Sequence, residues 1–189
     1  ISSGEFVSIL GPSGCGKSTI FNLIVGLIQP DSGAILLSDT PIHGVTGNFA
    51  YMQQNDLLLP WRTVIQNVVV SAEIQGKQKA KLKAKAAKLL EWIGLKGFEK
   101  SYPSQLSGGE RLRVAVVRAL MNDPKLVFAD EPTGNLDREN ANRLVELFKK
   151  INRDLNQAFV ITTHNPDVAS IGNKQFYLSE GTLSFSDRV

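Results

Sequence analysis

The sequence lacks long apolar runs and holds a single cysteine. A membrane-spanning helix needs about 20 mostly apolar residues, so no segment is predicted to cross a bilayer by itself. One cysteine excludes a disulfide within the chain and is typical of a reducing compartment. No basic leader with an apolar core precedes the first predicted strand, so the sequence indicates no secretion signal.

Internal repeats, low-complexity stretches and flexible linkers are lacking as well. Hydrophobic residues make up 42% of the 189 residues and charged residues 21%, the balance of a globular protein that buries a core. This composition excludes a disordered or collagenous chain. We therefore expect one continuous domain over residues 1–189.

The positive charge of the chain is concentrated in one segment. The formal net charge is +3, and residues 77–88 alone hold six lysines, which leaves the rest of the chain slightly acidic. Leu82, Ala86, Leu89 and Ile93 follow at helical spacing and predict a buried stripe below a solvated lysine face. Aromatic residues, which accompany single-strand binding, are missing from that segment. We expect no nucleic-acid partner.

Strand patterns alternate with helical patterns at both ends of the chain, and the middle is helical. Strands are predicted at 5–10, 34–37, 48–53, 125–129 and 158–162, with a hairpin over 175–178 and 182–185. Helices are predicted at 17–28, 63–73, 77–93, 109–121 and 138–152. Ser107 is predicted to cap the helix at 109–121, and Leu144, Phe148 and Ile151 are predicted to face inward from the helix at 138–152. This order predicts an α/β fold with a mostly parallel central sheet and an inserted helical subdomain at about 60–120.

Residues 11–18 read G-x-x-x-x-G-K-S between a predicted strand and a predicted helix, as a phosphate-binding loop requires. Backbone N–H groups of such a loop surround a phosphate at a helix N-terminus that favours anions. Lys17 would neutralise the β- and γ-phosphates, and the Ser18 hydroxyl would bind Mg²⁺. The alternative is a glycine-rich turn with a solvated lysine. The candidate nucleotide-binding residues are Gly11, Pro12, Ser13, Gly14, Cys15, Gly16, Lys17, Ser18 and Thr19.

Two carboxylates follow the apolar strand at 125–129. Ligands of an open parallel sheet bind beyond the carboxyl ends of its strands, so Asp130 is a candidate Mg²⁺ contact. Glu131 is the candidate group that orients and polarises an attacking water. The alternative is an ordinary polar turn at the end of a strand.

A second candidate anion site begins the helix at 109–121, because a serine and two glycines at a helix N-terminus favour an anion. These residues are Ser107, Gly108 and Gly109. One nucleotide does not need two phosphate cradles in one subunit, so we interpret the second as serving a neighbour's nucleotide.

The order of these three motifs resembles that of the ATP-binding-cassette (ABC) ATPases over essentially the whole chain. The resemblance implies a P-loop NTPase fold that binds ATP and Mg²⁺ and hydrolyses ATP. It also implies that Gln54 is the glutamine that senses Mg²⁺ and the attacking water. His164 is similar to the histidine that contacts the γ-phosphate, and Asp137 to the acidic residue of a loop crossing the dimer interface.

The resemblance further implies an ATPase subunit that powers a transporter by head-to-tail dimerisation. Expected partners are transmembrane permease subunits and a second copy or a paired ABC domain, with contact to the membrane only through those subunits. The expected location is peripheral, at the cytoplasmic face of the membrane. The leading strands of the family, and the aromatic residue that stacks on adenine, would precede Ile1. We therefore expect weaker binding of ATP.

Two parts of the sequence resemble different branches of the family. Residues 55–63 resemble importers of the sulfonate, nitrate or pyrimidine-precursor type, whereas 106–111 and 129–137 resemble lipoprotein-release and macrolide-export ATPases. One hypothesis is a chimera joined between about 75 and 106. Alternatives are a nucleotide-binding domain with little activity and a non-transport ABC ATPase. The interval between Thr19 and Ser107 is too short for the coiled-coil insertions of the chromosome-maintenance kind.

Overall fold

The computed structural model describes residues 1–185. The strands are β1 (Phe6–Leu10), β2 (Leu36–Leu37), β3 (Thr40–Pro41), β4 (Phe49–Met52), β5 (Leu126–Asp130), β6 (Ala158–Thr163), β7 (Lys174–Ser179) and β8 (Thr182–Phe185). The helices are α1 (Lys17–Ile24), α2 (Val64–Ile74), α3 (Lys79–Trp92), α4 (Gly108–Leu120), α5 (Arg138–Leu155) and α6 (Pro166–Ala169). A 3₁₀ turn covers Pro103–Gln105.

Within residues 1–185, six strands form the central sheet in the order β4-β5-β6-β1-β7-β8. Neighbouring strands are parallel except β7 and β8, which pair antiparallel. Every residue of β5 and β6 is buried, as expected for parallel strands with both faces covered. The predicted α/β fold with a mostly parallel sheet is confirmed.

Helices cover both faces of the sheet and enclose two apolar clusters. One cluster joins α2, α3, α4 and α5 to one face, where Phe148 of α5 and Phe159 of β6 lie with ring centroids 5.3 Å apart. The other packs Phe21 of α1 against Phe128 of β5. The helices α2–α4 occupy the interval between β4 and β5, and their treatment as a separate subdomain at about 60–120 stays a prediction.

The helix predicted at 17–28 and the strand predicted at 34–37 are both shorter in the structure. Helix α1 ends at Ile24 rather than at 28 because Gly26 adopts a positive φ of 82° and the N–H groups of Leu27 and Ile28 turn back to the Asn22 carbonyl. The strand predicted at 34–37 is reduced to β2, which pairs with β3 outside the central sheet. Among residues 1–185, no helix has both the length and the apolar character needed to span a membrane.

The sheet order brings four chain segments to one edge. Strands β4, β5, β6 and β1 are neighbours and run parallel, so their carboxyl ends meet there. Gln54, Glu131, His164 and the loop at 11–16 each follow one of these ends. Ligands bind at this edge in open parallel sheets.

Candidate functional site

A cavity of about 320 Å³ opens where the four strand ends meet. Its wall combines the glycine-rich loop and the start of α1 with groups that follow β4, β5 and β6. The lining residues are Ser13, Gly14, Gly16, Lys17, Ser18, Thr19, Gln54, Glu131, Gly134 and His164. The structure therefore brings most of the predicted nucleotide-binding and catalytic residues into one cavity.

Lys17 is the positive charge of this cavity. Its side chain is only 5% exposed and lies 3.1 Å from Glu131 Oε1. The same Nζ donates to the Gly11 and Pro12 carbonyl oxygens, both at 2.9 Å. In this conformation the ammonium group has three oxygen partners within the chain, so a phosphate bound there would compete with the Glu131 carboxylate for it.

Glu131 connects the lysine to the histidine. Its Oε2 lies 2.7 Å from His164 Nδ1, so both carboxylate oxygens are engaged. The backbone of Glu131 is left-handed, with φ 47°, and its N–H donates to the backbone oxygen of Thr162 at 3.1 Å. These contacts direct the carboxylate toward the cavity from the end of β5.

Asp130 lies behind the cavity rather than on its wall. It is 6% exposed and is absent from the lining residues. Its Oδ1 accepts a hydrogen bond from Thr162 Oγ1 at 2.6 Å, and its Oδ2 accepts one from Tyr51 OH at 3.2 Å. Burial, and then the charge of Asp130, raise the pKa of Tyr51, so its hydroxyl stays protonated and donates.

The sequence reasoning missed both of these hydroxyl donors. Tyr51 is part of β4 and Thr162 part of β6, the two strands that flank β5. A signal was present, since each hydroxyl lies within three residues of a predicted site residue, Gln54 or His164. It could be interpreted only once the strand order was known.

The oxygen atoms near the cavity are of the kind that bind Mg²⁺ as ligands. The predicted contacts are the Ser18 hydroxyl, the Asp130 carboxylate and the Gln54 side-chain amide. In the described part of the chain, no group of three or more His, Cys, Asp or Glu residues could hold a metal ion. Mg²⁺ is commonly held by one or two protein oxygens together with waters and substrate phosphates, which agrees with so sparse a set of hard oxygen ligands.

Ser107, Gly108 and Gly109 lie outside this cavity, at the N-terminus of α4. The predicted cap is present, because Ser107 Oγ accepts from the Glu110 N–H at 3.3 Å. Glu110 Oε2 in turn accepts from the Ser107 N–H and hydroxyl, both at 2.8 Å. These bonds to Ser107 lower the pKa of the Glu110 carboxyl and complete a capping box.

The N-termini of α4 and α5 are in contact through Gly109. A Cβ placed on Gly109 would lie 2.6 Å from Asn140 Oδ1. The Asn140 side chain cannot move away freely because its Nδ2 donates to Asp137 Oδ2 at 2.6 Å, while Asp137 Oδ1 accepts from the Asn140 N–H at 3.0 Å. Gly109 thus lets the loop of Asp137 pack directly on the start of α4.

The substitution Gly109→Ala is therefore expected to lower the free energy of unfolding by about 1–2 kcal/mol, from overpacking and a broken Asn140–Asp137 bond. Gly108→Ala is the matched control, since a Cβ there meets only Arg111 Nη2 at 3.9 Å. Alanine is the better helix former, so this control should be neutral or stabilising. Urea unfolding of both variants checks the prediction, and equal stabilities would contradict it.

The loop after Gln54 is bound to α4 by two arginines. Arg111 Nε donates to Asp56 Oδ2 at 3.0 Å. Arg118 donates through Nη1 to the Leu57 oxygen at 2.8 Å and through Nη2 to the Asp56 oxygen at 2.6 Å. Nearby, the apolar side chains of Leu57 and Trp61 are 53% and 71% exposed. One ion pair and two hydrogen bonds therefore join this loop to α4.

Comparison with known proteins gives consistent results. The family described as "ABC transporter" matches residues 1–134. The ATP-binding protein YtrE of Bacillus subtilis is 38% identical over 97% of this chain and 83% of its own length. The taurine import ATP-binding protein TauB of Yersinia pestis is 42% identical over 100% of this chain and 74% of its own. The lipoprotein-releasing system ATP-binding protein LolD of Bordetella pertussis is 38% identical over 97% and 83%.

Solved structures agree with these relatives. The dimeric structure of MJ0796, described as a bacterial ABC transporter cassette, superposes with a TM-score of 0.83 at 31% identity, covering 100% of this chain and 88% of that one. A second structure of the same cassette is a dimer in a post-hydrolysis state bound to ADP and Pi. TauB and LolD both match nearly the whole chain, and the hypothesis of a chimera joined between about 75 and 106 stays a prediction.

Proposed function

This chain belongs to the ABC transporter family and is a transport ATPase, and we propose that the cavity at the carboxyl ends of β1, β4, β5 and β6 is its site of ATP hydrolysis. The observation that supports this most directly is the chain of contacts from Lys17 through Glu131 to His164 on the cavity wall. The carboxylate of Glu131 lies there within hydrogen-bonding distance of both a phosphate-neutralising cation and an imidazole.

Each group has a distinct role in this proposal. The backbone N–H groups of 11–19 and the start of α1 bind the phosphates, and Lys17 neutralises their charge. Glu131 orients the attacking water and accepts its proton. His164 contacts the γ-phosphate, and Gln54, which also lines the cavity, senses both the water and the metal. Hydrolysis then depends on positioning and charge stabilisation rather than on a covalent intermediate.

Mg²⁺ completes the proposed site, and its protein contacts are Ser18, Asp130 and Gln54. When bound, the ion supplies positive charge that offsets the charge developing on the phosphate oxygens. Ser18 lines the cavity at the first turn of α1. Asp130 lies behind the wall, where an intervening water would extend its reach.

Two copies assemble head to tail in the proposed active form, either as a homodimer or with a paired ABC domain. Ser107, Gly108 and Gly109 of one copy then complete the site around the partner's nucleotide. Two observations support this arrangement. The N-terminus of α4 favours anions but lies outside the cavity of its own chain, and the related cassette MJ0796 is described as dimeric.

Size-exclusion chromatography with light scattering tests this assembly. The Glu131→Gln variant with Mg²⁺ and ATP is expected to elute at twice the monomer mass, since the substitution slows hydrolysis. Adding Ser107→Arg, which fills the start of α4, should return it to monomer mass while nucleotide still binds the loop at 11–19. Ser184→Arg, on the edge strand β8, is the matched control and should leave the dimer intact. Elution of every variant at the monomer mass, Glu131→Gln included, would contradict the dimeric site.

Transmembrane permease subunits are the proposed partners, with the chain peripheral at the cytoplasmic face of the membrane. A groove of about 340 Å³ between β4, α2 and α4 supports this proposal. The apolar side chains of Val45 and Ile74 on its lining are 73% and 82% exposed. Leu57 and Trp61 are exposed on the loop that Arg118 binds to α4, so a permease segment docked against that loop would transmit movement to Ser107.

A further inference from the structure

We infer that Thr162, together with Tyr51, is a positioning residue that holds the two acidic groups of the site in their working geometry. The inference rests on the roles proposed above for Asp130 and Glu131. It assigns to one buried hydroxyl group the task of coupling the metal-binding carboxylate to the water-orienting one.

Thr162 makes contact with both acidic residues through a single oxygen atom. Its Oγ1 donates to Asp130 Oδ1 at 2.6 Å and accepts from the Glu131 N–H at 3.2 Å. Thr162 pairs with Asp130 across the parallel β5–β6 ladder and is 0% exposed. Water therefore does not compete for either bond. The hydroxyl holds Asp130 and shares the Glu131 N–H with the Thr162 backbone oxygen, which lies 3.1 Å from that nitrogen.

Tyr51 holds the other oxygen of Asp130 from the opposite side. Its hydroxyl donates to Asp130 Oδ2 at 3.2 Å from β4, and its ring packs edge-on against Phe21 with centroids 6.0 Å apart. Asp130 is thus held between two hydroxyl donors that come from the two strands flanking its own. A carboxylate held on both oxygens does not rotate, and its remaining lone pairs keep one direction.

This geometry predicts how the affinity for Mg²⁺ changes when either hydroxyl group is removed. Polar groups that orient a metal-binding carboxylate typically change metal affinity by about 10- to 100-fold when they are removed. Neither hydroxyl is assigned a contact with the nucleotide, so affinity for ATP without metal should be unaffected. Loss of metal-dependent affinity, with metal-free affinity retained, is therefore the signature of a positioning role rather than of a damaged fold.

The experiment measures the dissociation constant of a fluorescent ATP analogue in Mg²⁺ and in EDTA, for the full chain and four variants. Thr162→Val removes the hydroxyl at nearly constant shape, and Thr162→Ser restores it. Tyr51→Phe removes the second donor, and Tyr177→Phe, at a tyrosine 42% exposed on β7, is its matched control. Thermal unfolding verifies that each variant is folded, and the KM for Mg²⁺ in phosphate release is measured in parallel.

Thr162→Val is expected to lower the ratio of Mg²⁺-dependent to metal-free affinity about tenfold and to raise the KM for Mg²⁺. Thr162→Ser should keep the parental ratio, and Tyr51→Phe should lower it while Tyr177→Phe does not. An unchanged ratio in Thr162→Val, or an equal loss in Thr162→Ser, overturns the inference. If Thr162→Val does not fold, the Tyr51→Phe result decides.

The parent protein separates this inference from the proposed function. A parent whose nucleotide affinity does not respond to Mg²⁺ would contradict the proposed metal contacts, and with them the inference. A parent that responds, with a Thr162→Val variant that responds equally, would contradict the inference alone.

Discussion

Glu131→Gln is expected to reduce ATP turnover by a factor of about 10²–10⁴, the usual contribution of a positioned general base, while tightening the binding of nucleotide. The amide keeps the shape of the side chain but cannot accept the proton of the attacking water. Removing the charge also frees Lys17, whose Nζ lies 3.1 Å from Glu131 Oε1. The phosphate then no longer competes with a carboxylate for the ammonium group.

Phosphate release at saturating Mg²⁺ and ATP, together with the dissociation constant of a fluorescent ATP analogue, measures the two effects. Glu146→Gln is the matched control, because Glu146 is exposed on α5 and forms a solvent-exposed ion pair with Lys149. This control should keep the parental rate and affinity. Equal rates for the parent and Glu131→Gln would show that another group activates the water.

Lys17→Ala is expected to weaken affinity for ATP, whereas Glu131→Gln strengthens it. The expected loss is about 10- to 100-fold, which corresponds to one charged hydrogen bond. The substitution removes the cation from a cavity whose side-chain charge is otherwise supplied by Glu131. It also leaves the Gly11 and Pro12 carbonyl oxygens without the donor they have at 2.9 Å. The backbone N–H groups at the start of α1 still favour the phosphates, but the cavity attracts a triphosphate less strongly.

Equilibrium binding of the ATP analogue to Lys17→Ala, compared with Lys88→Ala, provides the measurement. Lys88 is exposed on α3, so this control lowers the net charge equally without changing the cavity. The double variant with Glu131→Gln should be less impaired than Lys17→Ala alone, because the unpaired carboxylate is gone and the two sites are coupled. Parental affinity in Lys17→Ala would contradict the assignment of the phosphate-binding loop.

Several features were predictable because they depend on neighbours along the chain. Ser107 caps α4 as predicted, since capping needs only a hydroxyl and an N–H three residues later. The buried faces of α5 followed from helical spacing, and Leu144, Phe148 and Ile151 are buried. The phosphate-binding loop is also local, because its glycines, lysine and serine lie on one strand–helix connection.

Other expectations were inaccurate where a contact with distant chain decided the outcome. The early end of α1 depends on the turn at Gly26, whose Cα lies so close to the backbone of Gly44 that a Cβ would be 2.1 Å from it. The strand predicted at 34–37 keeps only the two residues of β2, which pair with β3 and not with the central sheet. Local propensity is a weak guide to such segments because tertiary contacts override it.

The sequence by itself determined the chemical groups of the site and the segment on which each lies: Lys17 after a strand and turn, Asp130 and Glu131 at a strand end, Ser107 at a helix start. Only the tertiary structure decided which of them meet. The order β4-β5-β6-β1 places Tyr51 and Thr162 on either side of Asp130 and brings Glu131 between Lys17 and His164. Strand order is set by packing both faces of the sheet, which no local pattern along the chain records.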